Sequence, residues 1–172
     1  WFSHKAETVK PYYYQVYLAE HDVVAELAPT ERAAAFRLTY PEKEMSYLVV
    51  DAYSGGNAEV IGDRNMIVGY STANHGGVTE NFRNWFVVVS DTPFETQTVD
   101  GHIAMVGFKT VKGQKVNLKV ASSFISQEQA ELNLNELSGR SFDEIAEAGR
   151  ARWNEVLGRI AVEDDNLDNL RT

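Results

Sequence analysis

The chain has 172 residues, a formal net charge of −9 at pH 7 and no cysteine. An acidic surface repels phosphate backbones and anionic lipid headgroups, so this charge argues against a nucleic-acid-binding or membrane-surface protein. The lack of cysteine excludes disulfides, thiolate zinc sites and cysteine nucleophiles. No apolar run approaches the ~20 residues that a membrane-spanning helix needs.

Short apolar and aromatic runs, separated by turn residues, occupy the first 125 residues. The turns carry pairs that favour tight reversals, such as Gly55-Gly56, Asp100-Gly101 and Lys112-Gly113. Many short strands at regular spacing predict a mainly β domain, built as an antiparallel sandwich or barrel. The predicted strands cover residues 12–18, 23–27, 32–40, 47–50, 66–71, 85–89, 102–109 and 116–121.

The pattern becomes helical after residue 125. Ser126 and Gln129 have capping-box spacing, so we expect the Ser126 hydroxyl to accept from the Gln129 amide and the Gln129 side chain to reach back. Gly139 should end this helix. Ser141 and Glu144 form a second capping box, which opens an amphipathic helix of about five turns over residues 141–160.

An apolar stripe runs along this second helix, because its apolar residues recur every three or four positions. Such a stripe needs a surface to cover. Either the preceding sheet or a further domain could supply that surface. The stripe consists of Phe142, Ile145, Gly149, Trp153, Val156 and Ile160.

Motifs that carry chemistry are absent from the sequence. It contains no nucleophile elbow, phosphate-binding loop, dinucleotide fingerprint or His-Glu-x-x-His pair. No two histidines stand four residues apart, so no local metal pair is predicted. We expect His21 and His102 to be solvated turn residues, and Asp51, after a buried strand, to cap a turn.

Aromatic side chains are the other feature that could serve a carbohydrate-binding protein, because their faces stack on pyranose rings. Trp1, Trp85 and the run Tyr12–Tyr14 are available for this role. Packing in the core or an interface is the commoner role of such residues. Trp153, on the helical stripe, is expected to pack.

Two stretches of the chain resemble glycosyl hydrolase family 92. The first matches the family's Phe-Ser-His…Glu…Pro-Gly-Tyr-Tyr segment and the strands after it. Residues 139–160 resemble the helix that links the family's sandwich to its catalytic domain. Tyr12 and Phe36 depart from a family glycine and histidine. The first stretch comprises Phe2-Ser3-His4, Glu7, Pro11-Tyr12-Tyr13, Ala25-Glu26-Leu27, Thr30-Glu31-Arg32 and Arg37-Leu38-Thr39-Tyr40-Pro41.

This resemblance implies an exo-acting, inverting α-mannosidase, active on mannose-containing glycans and dependent on calcium. Its galactose-mutarotase-like β-sandwich would pack on an (α/α)6 catalytic barrel of the same polypeptide. Residues 1–125 would form the sandwich, 126–160 two linker helices, and 161–172 the start of the barrel. Both chain ends look like cut edges, and the resemblance implies an extracytoplasmic, periplasmic or secreted, protein.

The resemblance also bears on the site. The family's general acid, general base and calcium ligands come from the barrel, so we expect no catalytic or metal-binding residue in this chain. His4 and Glu7 match the Phe-Ser-His…Glu motif and are expected to face the substrate pocket.

Two other functions stay open at this point. A non-catalytic carbohydrate-binding module of a secreted protein should carry an exposed, coplanar aromatic platform that includes Trp85 and the tyrosines. A structural or interaction domain should show neither sugar contacts nor a large apolar face. The domain of an enzyme should instead show an unpaired apolar surface on helix 141–160.

Overall fold

The computed structural model describes residues 2–169. Eleven strands in this range are followed by helices α1 (Gln127–Asn133) and α2 (Phe142–Leu157), which are separated by the 3-10 turn Leu134–Leu137. The strands are β1 Thr8–Lys10, β2 Tyr13–Leu18, β3 Val23–Pro29, β4 Ala33–Tyr40, β5 Lys43–Asp51, β6 Asn57–Ile61, β7 Met66–Ser71, β8 Asn84–Ser90, β9 Thr96–Asp100, β10 Ile103–Thr110 and β11 Gln114–Ser123.

The strands form two antiparallel sheets. The large sheet has the order β1-β2-β3-β4-β11-β8-β7-β6, and the small sheet has the order β5-β10-β9. They pack face to face as a sandwich, and the two helices cover part of the outer face of the large sheet. The predicted fold class, a mainly β antiparallel sandwich with C-terminal helices, is confirmed.

The central strands of the large sheet are buried on both faces, because successive side chains of a strand point to opposite sides and each side has a covering layer. On β4, Phe36, Leu38 and Tyr40 face the small sheet, where Val106 and Phe108 complete one core. Ala33 and Ala35 face the helices, in a second core that includes Val87, Leu137 and Ile145. The small alanine side chains allow the helices to approach the sheet closely.

Three strands were missed by the sequence pattern. Strands β1 and β9 are exposed at every residue, and only Ala58 of β6 is buried. Strands at the margin of a sheet contribute few side chains to the core, so they lack the apolar alternation on which the prediction relied.

The first predicted capping box is only half correct. The Ser126 hydroxyl accepts from the Gln129 amide at 3.2 Å, as expected. The return bond is wrong, because the Gln129 side chain donates to Asn133 Oδ1 at 3.0 Å. Asn133 in turn donates to the Ser122 carbonyl oxygen, so this chain of hydrogen bonds joins α1 to the end of β11.

The second capping box is formed as predicted. The Ser141 hydroxyl accepts from the Glu144 amide, and the Glu144 carboxylate accepts from the Ser141 amide at 2.8 Å. Helix α2 ends at Leu157, three residues before the predicted end. Trp1 and residues 170–172, which belong to the first and last predicted segments, lie outside the described residues.

Candidate functional site

The expected pocket residues His4 and Glu7 lie together at the margin of the large sheet. A short 3-10 turn over His4–Ala6, capped by the Ser3 hydroxyl, delivers Glu7 to the start of β1. His4 Nδ1 lies 2.7 Å from Glu7 Oε2. On the other side, the Tyr14 hydroxyl donates to Glu7 Oε1 at 2.5 Å.

Both neighbours stabilise the ionised form of this carboxylate. The hydrogen bond from Tyr14, followed by that from His4, holds the pKa of Glu7 below its ordinary value. The same bond raises the pKa of the Tyr14 hydroxyl, which therefore stays a donor. Sequence reasoning missed Tyr14 because it lies seven residues from Glu7 and reaches it only through the β1–β2 hairpin.

The exposed side of this cluster is the His4 imidazole. The His4 side chain is 86% exposed, whereas that of Glu7 is 13% exposed. Phe2 stands edge-on to the imidazole, with ring centroids 5.3 Å apart. Glu7 is thus held on both sides, whereas the His4 imidazole is open to solvent. Glycoside hydrolysis generally needs two carboxylates, so this cluster suits binding better than catalysis.

A second ionic cluster lies between the large sheet and α2. Arg37 donates from Nε and Nη2 to the two Glu26 carboxylate oxygens, both at 2.7 Å, and from Nη1 to Asp143 Oδ1 at 2.9 Å. Its guanidinium carbon lies 4.2 Å from the centroid of the Phe142 ring. The Tyr13 hydroxyl donates to Glu26 Oε1 at 2.8 Å.

The titration behaviour of this cluster is that of a satisfied ion pair. Hydrogen bonds from Arg37 lower the pKa of Glu26, and the bond to Glu26 raises the pKa of Arg37. Burial raises the pKa of Tyr13 to about 12. Because each charge has a partner, these shifts are explained by structure and do not mark a catalytic group.

Glu136 holds the second connection between the helices and the sheet. It accepts from the Thr30 hydroxyl at 2.6 Å, from the Arg32 amide at 3.0 Å and from Arg32 Nε at 2.6 Å. Burial raises the pKa of Glu136, but the bonds from Thr30 and Arg32 outweigh it, and the net shift is downward. Thr30 and Arg32 of the Thr30-Glu31-Arg32 motif therefore hold the turn that carries Glu136 against the β3–β4 connection.

The other candidates take the ordinary roles predicted for them. Asp51 Oδ1 accepts from the Tyr53 amide at 2.8 Å and caps the turn after β5. His102 Nε2 is 3.7 Å from the same oxygen, in a turn. The exposed His21 also lies in a turn.

Trp85, Tyr13 and Tyr14 form no aromatic platform; Trp1, also considered for it, lies outside the described residues. Trp85 is half-buried and packs edge-on against Tyr70, with ring centroids 4.9 Å apart. It also packs against the helix-side core. Tyr13 and Tyr14 are engaged with Glu26 and Glu7.

Among residues 2–169, no three His, Asp or Glu side chains lie close enough together to hold a metal ion such as calcium. The described residues therefore do not fit a calcium site built from such side chains. Within the same range, no helix is both long enough and apolar enough to cross a membrane.

A family model and several solved structures belong to one family. The model of the glycosyl hydrolase family 92 N-terminal domain matches residues 1–135. The family GH92 inverting mannosidase from Bacteroides thetaiotaomicron VPI-5482 is 33% identical, with a TM-score of 0.86, over 96% of this chain and 25% of its own. No curated protein matches the sequence.

Two further solved structures share the fold. A family GH92 α-mannosidase from Bacteroides thetaiotaomicron, in complex with mannoimidazole, is 24% identical with a TM-score of 0.79, over 95% of this chain and 25% of its own. A GH92 family glycosyl hydrolase is 25% identical with a TM-score of 0.81, over 94% of this chain and 26% of its own. The chain thus spans about a quarter of the length of these structures.

Proposed function

This chain belongs to glycosyl hydrolase family 92, and we propose that it is the N-terminal domain of an exo-acting, inverting α-mannosidase that cleaves α-mannosidic bonds in glycans. In this proposal the domain supports a catalytic barrel elsewhere in the same polypeptide and forms part of the pocket wall. The barrel supplies the acid, the base and the calcium ligands, and the protein works outside the cytoplasm.

The observation that carries the supporting role is the division of α2 into two halves. Phe142 and Ile145 are buried against the sheet. Gly149 lies so close to Tyr12 that an added Cβ would stand 3.0 Å from the Tyr12 Cβ atom. The rest of the stripe faces solvent: Trp153 is 42% and Val156 39% exposed, and Ile160, three residues beyond the end of α2, is 78% exposed.

An uncovered apolar stripe of this kind is typical of a surface that packs against another domain. Burying an aliphatic side chain stabilises by about 1.5–3 kcal/mol, so three or four such residues contribute enough to orient two domains. The Arg37 cluster fixes α2 on the sheet, and Glu136 fixes the 3-10 turn that precedes it. A barrel packed on the free half would therefore be held in one orientation relative to the sandwich.

His4 and Glu7 are proposed as the pocket-facing groups of this domain. Glu7 is fixed by Tyr14 and by His4, and the exposed imidazole of His4 is free on its outer side to hydrogen-bond a sugar hydroxyl. His4 would contribute to binding, because the cluster offers one carboxylate where hydrolysis needs two.

The first test is hydrolysis of a panel of α-mannobioses in the presence of calcium, by the 172-residue chain and by the full-length protein. We expect the full-length protein to release mannose with inversion and this chain to release none. Cleavage by this chain alone would contradict the placement of the catalytic groups in the barrel. A full-length protein without α-mannosidase activity would overturn the proposed function.

The carbohydrate-binding module is less well supported by the geometry. Its platform would need Trp85 and the tyrosines to be free and coplanar, whereas they pack or donate hydrogen bonds within the domain. That alternative would be favoured if this chain bound mannan and substitutions in the exposed stripe left the binding unchanged.

A further inference from the structure

The outer face of the small sheet is open to solvent. Ala104, Val106 and Phe108 of β10 are buried against the large sheet, so the alternate residues of the strand point outward. The register aligns these outward residues with those of β5 and β9, which are exposed. The resulting rows across the sheet are Tyr47-Gly107-Thr96, Val49-Met105-Thr98 and Asp51-Ile103-Asp100.

Tyr47 is the aromatic residue of these rows. It lies directly opposite Gly107, and a Cβ added to that glycine would stand 3.2 Å from Tyr47 Cε1. The ring therefore leans across β10 and rests over the glycine. Tyr47 is 51% exposed, as expected for a ring with one face on the sheet and the other open to solvent. Tyrosine joins an apolar ring to a polar hydroxyl, a combination that suits the C–H faces and hydroxyls of a pyranose ring.

A second exposed tyrosine directly follows β5, at the end of this face. Tyr53 is 63% exposed, and its backbone is left-handed, with a φ of 64°. This conformation is uncommon for a residue other than glycine and costs free energy. It is held by Asp51 Oδ1, which accepts from the Tyr53 amide at 2.8 Å, and by the Gly56 amide, which donates to the Tyr53 carbonyl oxygen at 2.9 Å. The loop thus fixes Tyr53 beside Asp51.

Hydrogen-bonding side chains lie between the two tyrosines. Thr98 presents a hydroxyl from β9, and Asp51 and Asp100 present carboxylates at the end next to Tyr53. A threonine hydroxyl donates and accepts, and a carboxylate accepts, so these groups match the hydroxyls of a sugar.

The charges around this face favour a neutral ligand. Asp51 and Asp100 are exposed at one end, and at the other end Lys109 lies 3.9 Å from Glu44. The open carboxylates repel phosphate and sulfate groups. The face therefore suits a neutral glycan better than a nucleic acid or a sulfated polysaccharide.

The size of the face distinguishes a glycan from a protein partner. Five residues along each strand and three strands across give roughly 17 Å by 14 Å, from the usual rise and strand spacing. This area, about 240 Å², is far below the ~800 Å² that each partner buries in a stable protein interface. A chain of sugar rings needs only a narrow strip, which this face provides.

We propose that the outer face of the small sheet binds a stretch of a neutral polymeric glycan, with Tyr47 and Tyr53 as the stacking residues. Tyr47 and Asp51 are roughly 14 Å apart along β5, and Tyr53 lies beyond, so the ligand is a chain of several sugars. That this glycan is an α-mannan rests on the proposed function, whereas the site itself rests on this face.

Affinity electrophoresis tests the proposal, with the full-length protein run through native gels that contain increasing amounts of soluble α-mannan. We expect the mannan to retard the wild type, and Tyr47→Ala and Tyr53→Gly to bind at least roughly threefold more weakly, because each loses a stacking ring. Glycine accepts the left-handed backbone at residue 53, so Tyr53→Gly removes the ring without destabilising the loop. It carries the test if Tyr47→Ala does not fold.

Tyr17→Ala is the matched control, because Tyr17 is a tyrosine of the large sheet that is 39% exposed. It should bind mannan like the wild type. Wild-type mobility that mannan leaves unchanged, or variants at residues 47 and 53 that are retarded as strongly as the wild type, would overturn the proposal. A doubled mass in light scattering that Tyr47→Ala abolishes would assign the face to a second copy instead.

The α-mannobiose panel separates a failure of this proposal from a failure of the proposed function. A full-length protein that releases mannose but is not retarded would keep the function and lose the site. A protein that is retarded through Tyr47 and Tyr53 but releases no mannose would keep the site and be a binding module.

Discussion

At the scale of residues, Arg37 is the centre of the contacts that join α2 to the sheet. It donates two hydrogen bonds to Glu26 and one to Asp143, and its guanidinium lies over the Phe142 ring. The Arg37 and Glu26 side chains are 14% and 10% exposed, whereas Asp143 is 78% exposed. The pair with Glu26 therefore matters more to folding than the pair with Asp143, because water screens the exposed carboxylate.

Replacing Arg37 by alanine should lower the free energy of unfolding by about 3–5 kcal/mol, because Glu26 would stay buried without its partner. Urea denaturation followed by circular dichroism measures the change. Arg152→Ala is the control, because Arg152 pairs with Glu155 on the exposed face of α2 and its loss should leave the midpoint unchanged. The double variant Glu26→Leu with Arg37→Met should recover most of the loss; failure to do so would contradict the charge argument.

Acidification tests the same pair through Glu26. The pKa of Glu26 is lowered in the folded state, so this residue contributes stability above its unfolded pKa, near 4.5, and that contribution is lost as the pH falls through the lower folded pKa. We expect Glu26→Gln to be less stable than the wild type at neutral pH and to lose less stability on acidification below about pH 4.5.

Urea midpoints between neutral pH and pH 3 measure this difference. Glu44→Gln is the control, because Glu44 is an exposed residue of β5. An acid limb that stays as steep in Glu26→Gln as in the wild type would assign the acid sensitivity to other carboxylates.

At the scale of elements, α2 is buried against the sheet at its start and exposed at its end. Its capping box and its first two apolar positions fix its start on the sheet, and the last turns leave the stripe uncovered. The stripe was predicted from spacing alone. Spacing did not show where coverage by the sheet ends, because that depends on the position of Tyr12, in the β1–β2 turn far away in sequence.

Ile160→Lys tests whether the free half of the stripe is buried in the full-length protein. In the 172-residue chain the variant should change the free energy of unfolding by less than about 0.5 kcal/mol, because Ile160 is already exposed. In the full-length protein it should lower the thermal midpoint and α-mannosidase activity, because a lysine would be buried at the domain contact.

Val111→Lys is the matched control, an exposed valine in the β10–β11 turn, and it should be neutral in both proteins. An Ile160→Lys full-length protein with unchanged midpoint and activity would contradict docking through this stripe.

At the scale of the whole molecule, each face of the large sheet is covered only in part. Both helices share a core with one face and cover part of it. On the opposite face, three strands cover only part of an eight-stranded sheet. The division into residues 1–125, 126–160 and 161–172 stays a prediction. The helical segment begins on the sheet, and its last turns extend into solvent.

The sequence by itself determined the features that depend on neighbours along the chain. Alternating apolar residues specified most strands, and Ser141 with Glu144 specified the start of α2, because these signals act over a few residues. The Phe-Ser-His…Glu segment likewise pointed to the family that the comparisons support.

Only the tertiary structure decided which distant residues meet. Strand β11 lies between β4 and β8, Tyr14 reaches Glu7 across a hairpin, and Arg37 meets Asp143 more than one hundred residues away. Margin strands such as β9 also became visible only there. These features depend on the free energy of packing and pairing over the whole fold, which no local pattern of residues contains.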